Sequence, residues 1–360
     1  MNEIQTDILI IGAGLTGLTL AYLLKDCPFK IQLVEARNRL GGRIHTVQSA
    51  YDTPVDMGAT WLGTKHQSLI RLLEELKIPV MAQFYGGAAI YEPISTSPWK
   101  LVNWSGEMEP TYRIVDGSSS LINKLSSFAD EQTIHLSTII KKIEVTENGI
   151  SAISDDYTYQ AKKIVSTLPP YLFTNSIEIN KSLPEILKST ADLTHTWMGE
   201  SIKVSLVYKE AFWKKENTSG TIVSNVGPIP EMYDHSSIND TGLEKKGYAL
   251  MGFMDGSYYS ISKEERLQKI LTQLSKYHGN QAKEYLSYVE TVWRSEPYTF
   301  KEYHTHILPH QNNGHPVFRE PLFEGKLILA GSETADQFPG YMDGAVRSAR
   351  HVYDLLMQAT

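Results

Sequence analysis

Asp7-Ile8-Leu9-Ile10-Ile11-Gly12-Ala13-Gly14-Leu15-Thr16-Gly17-Leu18, at residues 7–18, decides how the rest of the chain is read. The apolar run over 7–11 predicts a buried parallel strand, and residues 15–24 predict a helix, with a glycine-rich turn between them. Within that turn Gly12 permits the tight bend, Gly14 lets a pyrophosphate approach the backbone, and Gly17 lets helix and sheet pack closely. Free N–H groups at the helix start then face the phosphates. A second strand over 31–35 completes a βαβ unit. Glu35 ends it, 23 residues beyond Gly12, where a carboxylate can accept hydrogen bonds from a ribose diol and disfavours a 2′-phosphate. Strand, turn, helix and acid in register predict dinucleotide binding and argue against NADP.

Working outward, the 360 residues suffice for two domains or one interleaved pair. Apolar residues make up 41% and charged residues 21%, the balance of an ordinary globular chain. A net charge of -7, from 34 basic and 41 acidic residues, argues against general affinity for nucleic acid or anionic membrane. Cys27 is the sole cysteine, which excludes an intrachain disulfide or a cysteine cluster for metal and is compatible with a cytoplasmic location. The uncharged run over 8–24 makes a poor signal peptide or membrane span, because Asp7 precedes it, three glycines punctuate it and a basic flank is missing. No transmembrane segment is expected. His304, His306 and His310 lack a well-spaced acidic or cysteine partner, so no metal site is expected either.

Further along, residues 68–76 and 118–128 read as helices, and residues 134–143 and 161–167 as strands. Pro169-Pro170 is taken as a domain crossing. Strands over 201–208 and 248–254, with a helix over 264–277, predict a second sheet. A strand over 327–331 then feeds a helix over 344–357, repeating the pattern of the opening block.

The stretch Glu35-Ala36-Arg37-Asn38-Arg39-Leu40-Gly41-Gly42-Arg43 bears on the choice between NAD and FAD. Arg37 and Arg43 are suited to neutralising a pyrophosphate, and Gly41 and Gly42 let the chain run close over it. Here the chain resembles the flavin-containing amine oxidase family (monoamine oxidase-like), which includes monoamine, polyamine and L-amino-acid oxidases. The resemblance recurs at Val55-Asp56-Met57-Gly58-Ala59-Thr60-Trp61-Leu62-Gly63, which looks like the segment beside the flavin ring. It recurs again at Arg113-Ile114-Val115-Asp116-Gly117-Ser118, at residues 167–170, and at Ala330-Gly331-Ser332-Glu333-Thr334 with Gly340-Tyr341-Met342-Asp343-Gly344-Ala345.

The resemblance implies an α/β chain in which an FAD-binding Rossmann-like domain (residues 1–80, 111–168 and 297–360) is interleaved with a mixed-sheet α+β substrate domain (81–110 and 169–296). It assigns Gly58, Ala59, Thr60 and Trp293 to the cofactor, sets the backbone of Ile140 against adenine, and brings Ser332 and Glu333 near phosphate or ribitol hydroxyls. The helix from Met342 would aim its N–H groups at the flavin C2 carbonyl.

Lys203 lies in an apolar strand where alternation alone would turn it to solvent. The family instead has a lysine at that place, holding a water near flavin N5. Tyr341 and Tyr303 match two walls of an aromatic cage for the substrate. Mammalian monoamine oxidases attach FAD through a cysteine just before the second cage tyrosine; Glu302 stands there, so non-covalent FAD is expected. The family also inserts a longer helical region where only residues 81–110 stand here, which implies an open site, or one that a partner or homodimer completes.

The expected activity is oxidation of a small amine: an α-carbon hydrogen leaves as a hydride equivalent, the imine hydrolyses, and oxygen is reduced to hydrogen peroxide. A desaturase or dehydrogenase using another acceptor, and a non-catalytic flavin-binding protein, remain as alternatives.

Overall fold

A computed structural model describes residues 2–103, 109–130, 133–215, 217–236 and 247–358. Part of the predicted 81–110 excursion, residues 104–108, lies outside them.

The opening apolar run forms the inner strand Asn2–Ile11, followed by the helix Leu15–Leu24 and the strand Ile31–Val34. Among the described residues this unit belongs to an eight-stranded sheet. Its order is Ile134–His135, Ile31–Val34, Asn2–Ile11, Tyr157–Ser166, Ile150–Ile153, Lys142–Val145 and Glu178–Ile179, with Leu327–Leu329 also pairing beside Tyr157–Ser166. Both faces are covered over the second half of the first strand, which explains why residues 8–11 are apolar without alternation, whereas its polar first residues are exposed or half-buried. Ile8 and Ile10 enter one core with Leu18, Leu69, Leu121 and Val346, whereas Leu9 and Ile11 enter the other with Ile143, Phe173 and Leu187.

The second sheet runs Ser287–Val292, Ile202–Tyr208, Tyr248–Met254, Glu231–Asp234, Thr218–Ser224, Ala88–Glu92 and Lys100–Val102. It is antiparallel except where Thr218–Ser224 runs parallel to Ala88–Glu92. One face buries Ile202, Val204 and Leu206 with Ile270 and Leu274 of the helix Lys263–His278. That helix starts on a reciprocal capping box between Ser262 and Glu265. The opposite face meets the first body through Val207, Ala249 and Met251 against Val55 and Met57.

The crossing between the two sheets differs from its expected place at Pro169-Pro170. These prolines begin the helix Pro170–Ser176, whose Phe173 joins the core of the first sheet. The chain then adds Glu178–Ile179 to that sheet and packs Leu187 and Ala191 of the helix Glu185–Asp192 onto it. Proline suits a first helical turn, because its missing N–H would be unpaired there anyway.

Candidate active site

The two bodies enclose a cavity of about 880 Å³, near the upper end of the usual range for ligand pockets. Gly12, Gly14 and Glu35 line it at the opening βαβ unit, with Ile140 nearby; Arg37, Gly42 and Arg43 continue the wall towards Gly58, Ala59, Thr60, Trp293, Ser332 and Met342, and Lys203 and Tyr341 also face it. Gly17 and Glu333 do not line it, and neither does Tyr303.

Three glycines of the opening turn serve three purposes. Gly12 has φ +104°, and a Cβ there would come within 2.4 Å of Thr167 Oγ1. Gly17 packs so closely that a Cβ would stand 2.0 Å from the Gly12 carbonyl oxygen. At Gly14 a Cβ would approach no protein atom closer than 4.0 Å. Only bare backbone therefore faces the cavity at Gly14, directly before the helix N-terminus, as a pyrophosphate requires. Glu35 accepts from Ala13 N–H at 2.9 Å through one oxygen and from Arg37 N–H at 3.0 Å through the other. Each oxygen keeps a lone pair for a ribose hydroxyl. These features fit FAD.

Both arginines expected at the pyrophosphate have protein partners. Arg37 reaches forward to Glu296 Oε2 (3.1 and 3.2 Å) and to Thr299 Oγ1 (2.7 Å), tying the first body to the returning chain. Arg43 grips Glu333 with two bonds of 2.5 and 2.8 Å and donates to Ser332 Oγ at 3.0 Å. Burial pushes the Glu333 carboxyl upward, but the Arg43 charge and its hydrogen bonds outweigh this and hold it below the usual range. The pair fastens the loop before the carboxy-terminal helix to the 41–43 turn, with Arg43 and Ser332 on the cavity wall and Glu333 behind them.

Lys203 is buried, contrary to the pattern of strand alternation, because both faces of its sheet are covered. Its Nζ donates to the Gly58 carbonyl at 2.6 Å and to Thr60 Oγ1. The Trp61 and Phe253 rings flank it at 5.2 and 5.3 Å. Burial lowers its pKa to about 7, with Asp56 opposing the shift and Arg113 adding to it. Two of the three hydrogens of its ammonium form are engaged, and Lys203 lines the cavity.

A buried polar network fixes the strip that Lys203 grips. Asp56 accepts from Thr46 Oγ1 (2.6 Å) and Ser118 N–H (2.9 Å), and its own N–H donates to His235 Nε2 at 3.1 Å. Arg113 donates to the carbonyls of His235 and Ser236 at 3.3 and 2.9 Å. Burial, reinforced by the positive charges of Arg113 and Lys203, holds His235 well below its ordinary pKa, so it is neutral. None of this network was assigned a role from the sequence, since its members are remote in the chain.

Tyr341 faces the cavity, but Tyr303 does not. The Tyr303 hydroxyl accepts the Thr196 N–H at 2.9 Å, and its ring packs edge-on against Tyr171 and Phe300 at 4.9 and 5.1 Å. Tyr171 donates to the Glu302 carbonyl at 2.9 Å and Arg294 pairs with the Glu302 carboxylate, which together hold this segment with the ring turned inward. The rings beside Tyr341 on the cavity wall are instead Trp197 and His66, with centroids 6.0 and 5.8 Å away. His310 stacks on Trp197 at 3.7 Å and lies nearly parallel to Tyr341. Gly340, with φ +87°, gives the indole room, since a Cβ would come within 2.9 Å of Trp197 Cβ.

A glycine cradle, a ribose-facing acid and a cavity shared by two sheets define a dinucleotide-binding oxidoreductase. The chain belongs to the flavin containing amine oxidoreductase family, whose sequence pattern matches residues 15–92 and 80–354. Rat amine oxidase [flavin-containing] B is 24% identical over 455 aligned positions, covering 97% of this chain and 86% of that protein. A probable flavin-containing monoamine oxidase A of Dictyostelium discoideum is also 24% identical, over 96% of each. Both alignments exceed the length of this chain and so open gaps in it. Among solved structures, putrescine oxidase bound to putrescine superposes with a TM-score of 0.85 at 19% identity, covering 99% of this chain and 100% of that one. Cyclohexylamine oxidase from Brevibacterium oxydans IH-35A gives 0.84 at 19%, covering 98% and 99%. These likenesses show the fold. Among the described residues no helix is long and apolar enough to cross a membrane.

Proposed function

We propose that this protein uses non-covalent FAD to oxidise a small primary or secondary amine with molecular oxygen. For a primary amine the balance is R-CH2-NH2 + O2 + H2O giving R-CHO + NH3 + H2O2. The observation that carries this reading is Lys203, a cation buried at the junction of the two bodies, beside the strip 58–60 and facing a flavin-sized cavity. Bound FAD supplies the two-electron acceptor that takes a hydride equivalent from the amine and passes the electrons to oxygen.

The chain's own residues do the remaining work. Gly14 and the N-terminus of Leu15–Leu24 receive the pyrophosphate, and Glu35 orients a ribose. The Arg43–Glu333 pair holds the loop carrying Ser332, and the N-terminus of the Met342–Gln358 helix stabilises negative charge at the adjoining end of the cavity. Trp61, Phe253, Trp197 and Tyr341 exclude water and orient a neutral amine. Lys203 holds a water and supplies a proton when oxygen is reduced. Non-covalent attachment is supported by Cys27, which lies against Met357 with its sulfur 3.9 Å from the Met357 sulfur, away from the cavity. That lone free thiol also fits a cytoplasmic setting. In this reading the body of the first sheet holds the cofactor and the second sheet forms the substrate wall.

The test is oxygen uptake by FAD-saturated protein across a panel of amines. Consumption of one oxygen per aldehyde, with half returned on adding catalase, is the expected result. Amine-dependent reduction of an artificial acceptor without oxygen uptake would refute the oxidase assignment and favour a dehydrogenase.

A further inference from the structure

Lys203, Asp56 and Arg113 are all buried where the two bodies meet, yet no two of them form an ion pair. Arg113 stands opposite Trp61 across the strands Thr111–Ile114 and Trp61–Gly63, and the Trp61 ring flanks the Lys203 Nζ. The Arg113 guanidinium donates to neutral acceptors, the carbonyls of His235 and Ser236, and its Nε has no partner among the described residues. The neutral His235 ring stands between Arg113 and Asp56, with Nδ1 3.0 Å from Arg113 Nη1 and Nε2 3.7 Å from Asp56 Oδ2. That spacer denies Arg113 the carboxylate a buried guanidinium ordinarily takes.

The other charges packed around Lys203 are engaged elsewhere or lie in water. Asp234 pairs with Lys214 at 3.1 Å. Glu290, beside Val204 and therefore on the opposite face of the sheet, pairs with Arg266 at 2.6 Å. Arg294, just past the strand Ser287–Val292, pairs with Glu200 and Glu302. Glu231, two strands from Lys203, is exposed. Burial keeps Tyr85 and Tyr233 neutral. With Lys203 protonated, the junction therefore holds two positive charges against one negative, and it is balanced only when Lys203 is neutral. Burial is the main cause of the lowered Lys203 pKa; Asp56 opposes it, and Arg113 adds to it. Little water lies between these groups, so the Arg113 charge reaches Lys203 weakly screened.

We propose that Arg113 is a positioning residue for the oxygen step, acting through Lys203: its unpaired charge drives the Lys203 ammonium to give a proton to oxygen as oxygen is reduced, and His235 is the spacer that keeps Asp56 from quenching that charge. This rests on the reading of Lys203 as the proton source. The N–H bond broken at Nζ is matched by an O–H bond formed on reduced oxygen, and a proton from water restores the ammonium, so the lysine ends each turnover unchanged.

The test follows two pH dependences in the FAD-saturated wild type, Arg113→Met and Arg113→Lys. The first is stability to urea, each protein measured against the same protein carrying Lys203→Met. The Lys203 contribution is flat below its native pKa and rises with pH above it, because the unfolded chain then binds more protons. That rise should begin near pH 7 in the wild type. It should begin about one pH unit higher in Arg113→Met and close to the wild-type value in Arg113→Lys, which keeps the charge. Arg113→Gln, which can still donate to a carbonyl, carries the same expectation as Arg113→Met if the latter does not fold. The second dependence is reoxidation by oxygen after reduction with dithionite, a route that needs no amine; the pH at which its rate falls should move with the stability onset. An onset that stays put without the arginine, or moves as far in Arg113→Lys, overturns the role of Arg113. An onset that moves while the reoxidation profile does not overturns proton donation by Lys203. Both shifts in a protein that oxidises no amine would support the role of Arg113 and overturn the amine-oxidising reading alone.

Discussion

Alanine at Gly14 and alanine at Gly17 should produce opposite defects, although both glycines belong to one turn. At Gly17 the added Cβ would lie 2.0 Å from the Gly12 carbonyl oxygen and 3.2 Å from Ile10 Cγ2, so the helix must lift from the sheet. Overpacking of this kind costs about 1–3 kcal/mol or more, and the damage falls on the folded protein itself. At Gly14 the backbone has φ -76° and ψ -174°, which alanine adopts freely, and no protein atom lies closer than 4.0 Å to the new methyl. Reduced unfolded-state freedom and a poorer helix cap nearly offset, leaving stability changed by about 0.5 kcal/mol or less. The methyl would occupy the space reserved for the pyrophosphate, and the same overpacking range of about 1–3 kcal/mol then appears as roughly 5- to 150-fold weaker FAD binding. Thermal melts of the flavin-free proteins, with titration of FAD followed by flavin fluorescence, separate the two effects. A Gly14→Ala protein that melts like wild type and binds FAD equally well would refute this account of the cradle.

Four further outcomes are expected. Glu333→Gln leaves the Arg43 guanidinium without its counter-charge and should destabilise the protein by about 3 kcal/mol, measured by urea unfolding. Lys203→Met should keep or raise stability while slowing reoxidation of the reduced protein by about 100-fold in stopped-flow mixing with oxygen. Because burial lowers the Lys203 pKa from 10.5 to about 7, the unfolded chain binds more protons between those values. Wild-type stability relative to Lys203→Met should then rise with pH across that window, by at most about 1.4 kcal/mol per pH unit, and be flat below it. Tyr303→Phe removes a hydroxyl that accepts the Thr196 N–H, so it should cost about 1 kcal/mol of stability and leave substrate KM nearly unchanged, whereas Trp197→Ala should raise KM clearly.

The parts of the fold legible in sequence were those fixed by neighbours in the chain. The strand, turn and helix at 7–24 each have a local physical cause, and the helix Leu15–Leu24 begins and ends where its apolar spacing places it. Lys203 shows where such reading runs out: period-two alternation presumes one wet face, and its sheet has none, so burial followed from packing against Val55 and Met57 rather than from the strand's own pattern. Pro169-Pro170 reads as a break, but these residues open a helix, and the strand that starts eight residues after Pro170 still joins the first sheet. Tyr303 occupies the matching sequence position, yet its segment is pinned by Tyr171 and Arg294, contacts that no local pattern announces. Trp197 and His310 come together from loops more than a hundred residues apart, and Arg43 meets Glu333 across nearly the whole chain.

The central claim, that FAD held between these two bodies oxidises an amine, is tested most directly by mixing the oxidised, FAD-loaded protein with amines in the absence of oxygen and following the yellow flavin absorbance. The account predicts that at least one small amine bleaches it in the wild type, that admitting air restores it, and that one equivalent of hydrogen peroxide appears. Flavin that binds fully but is bleached by none of the monoamines, diamines or amino acids offered would contradict it.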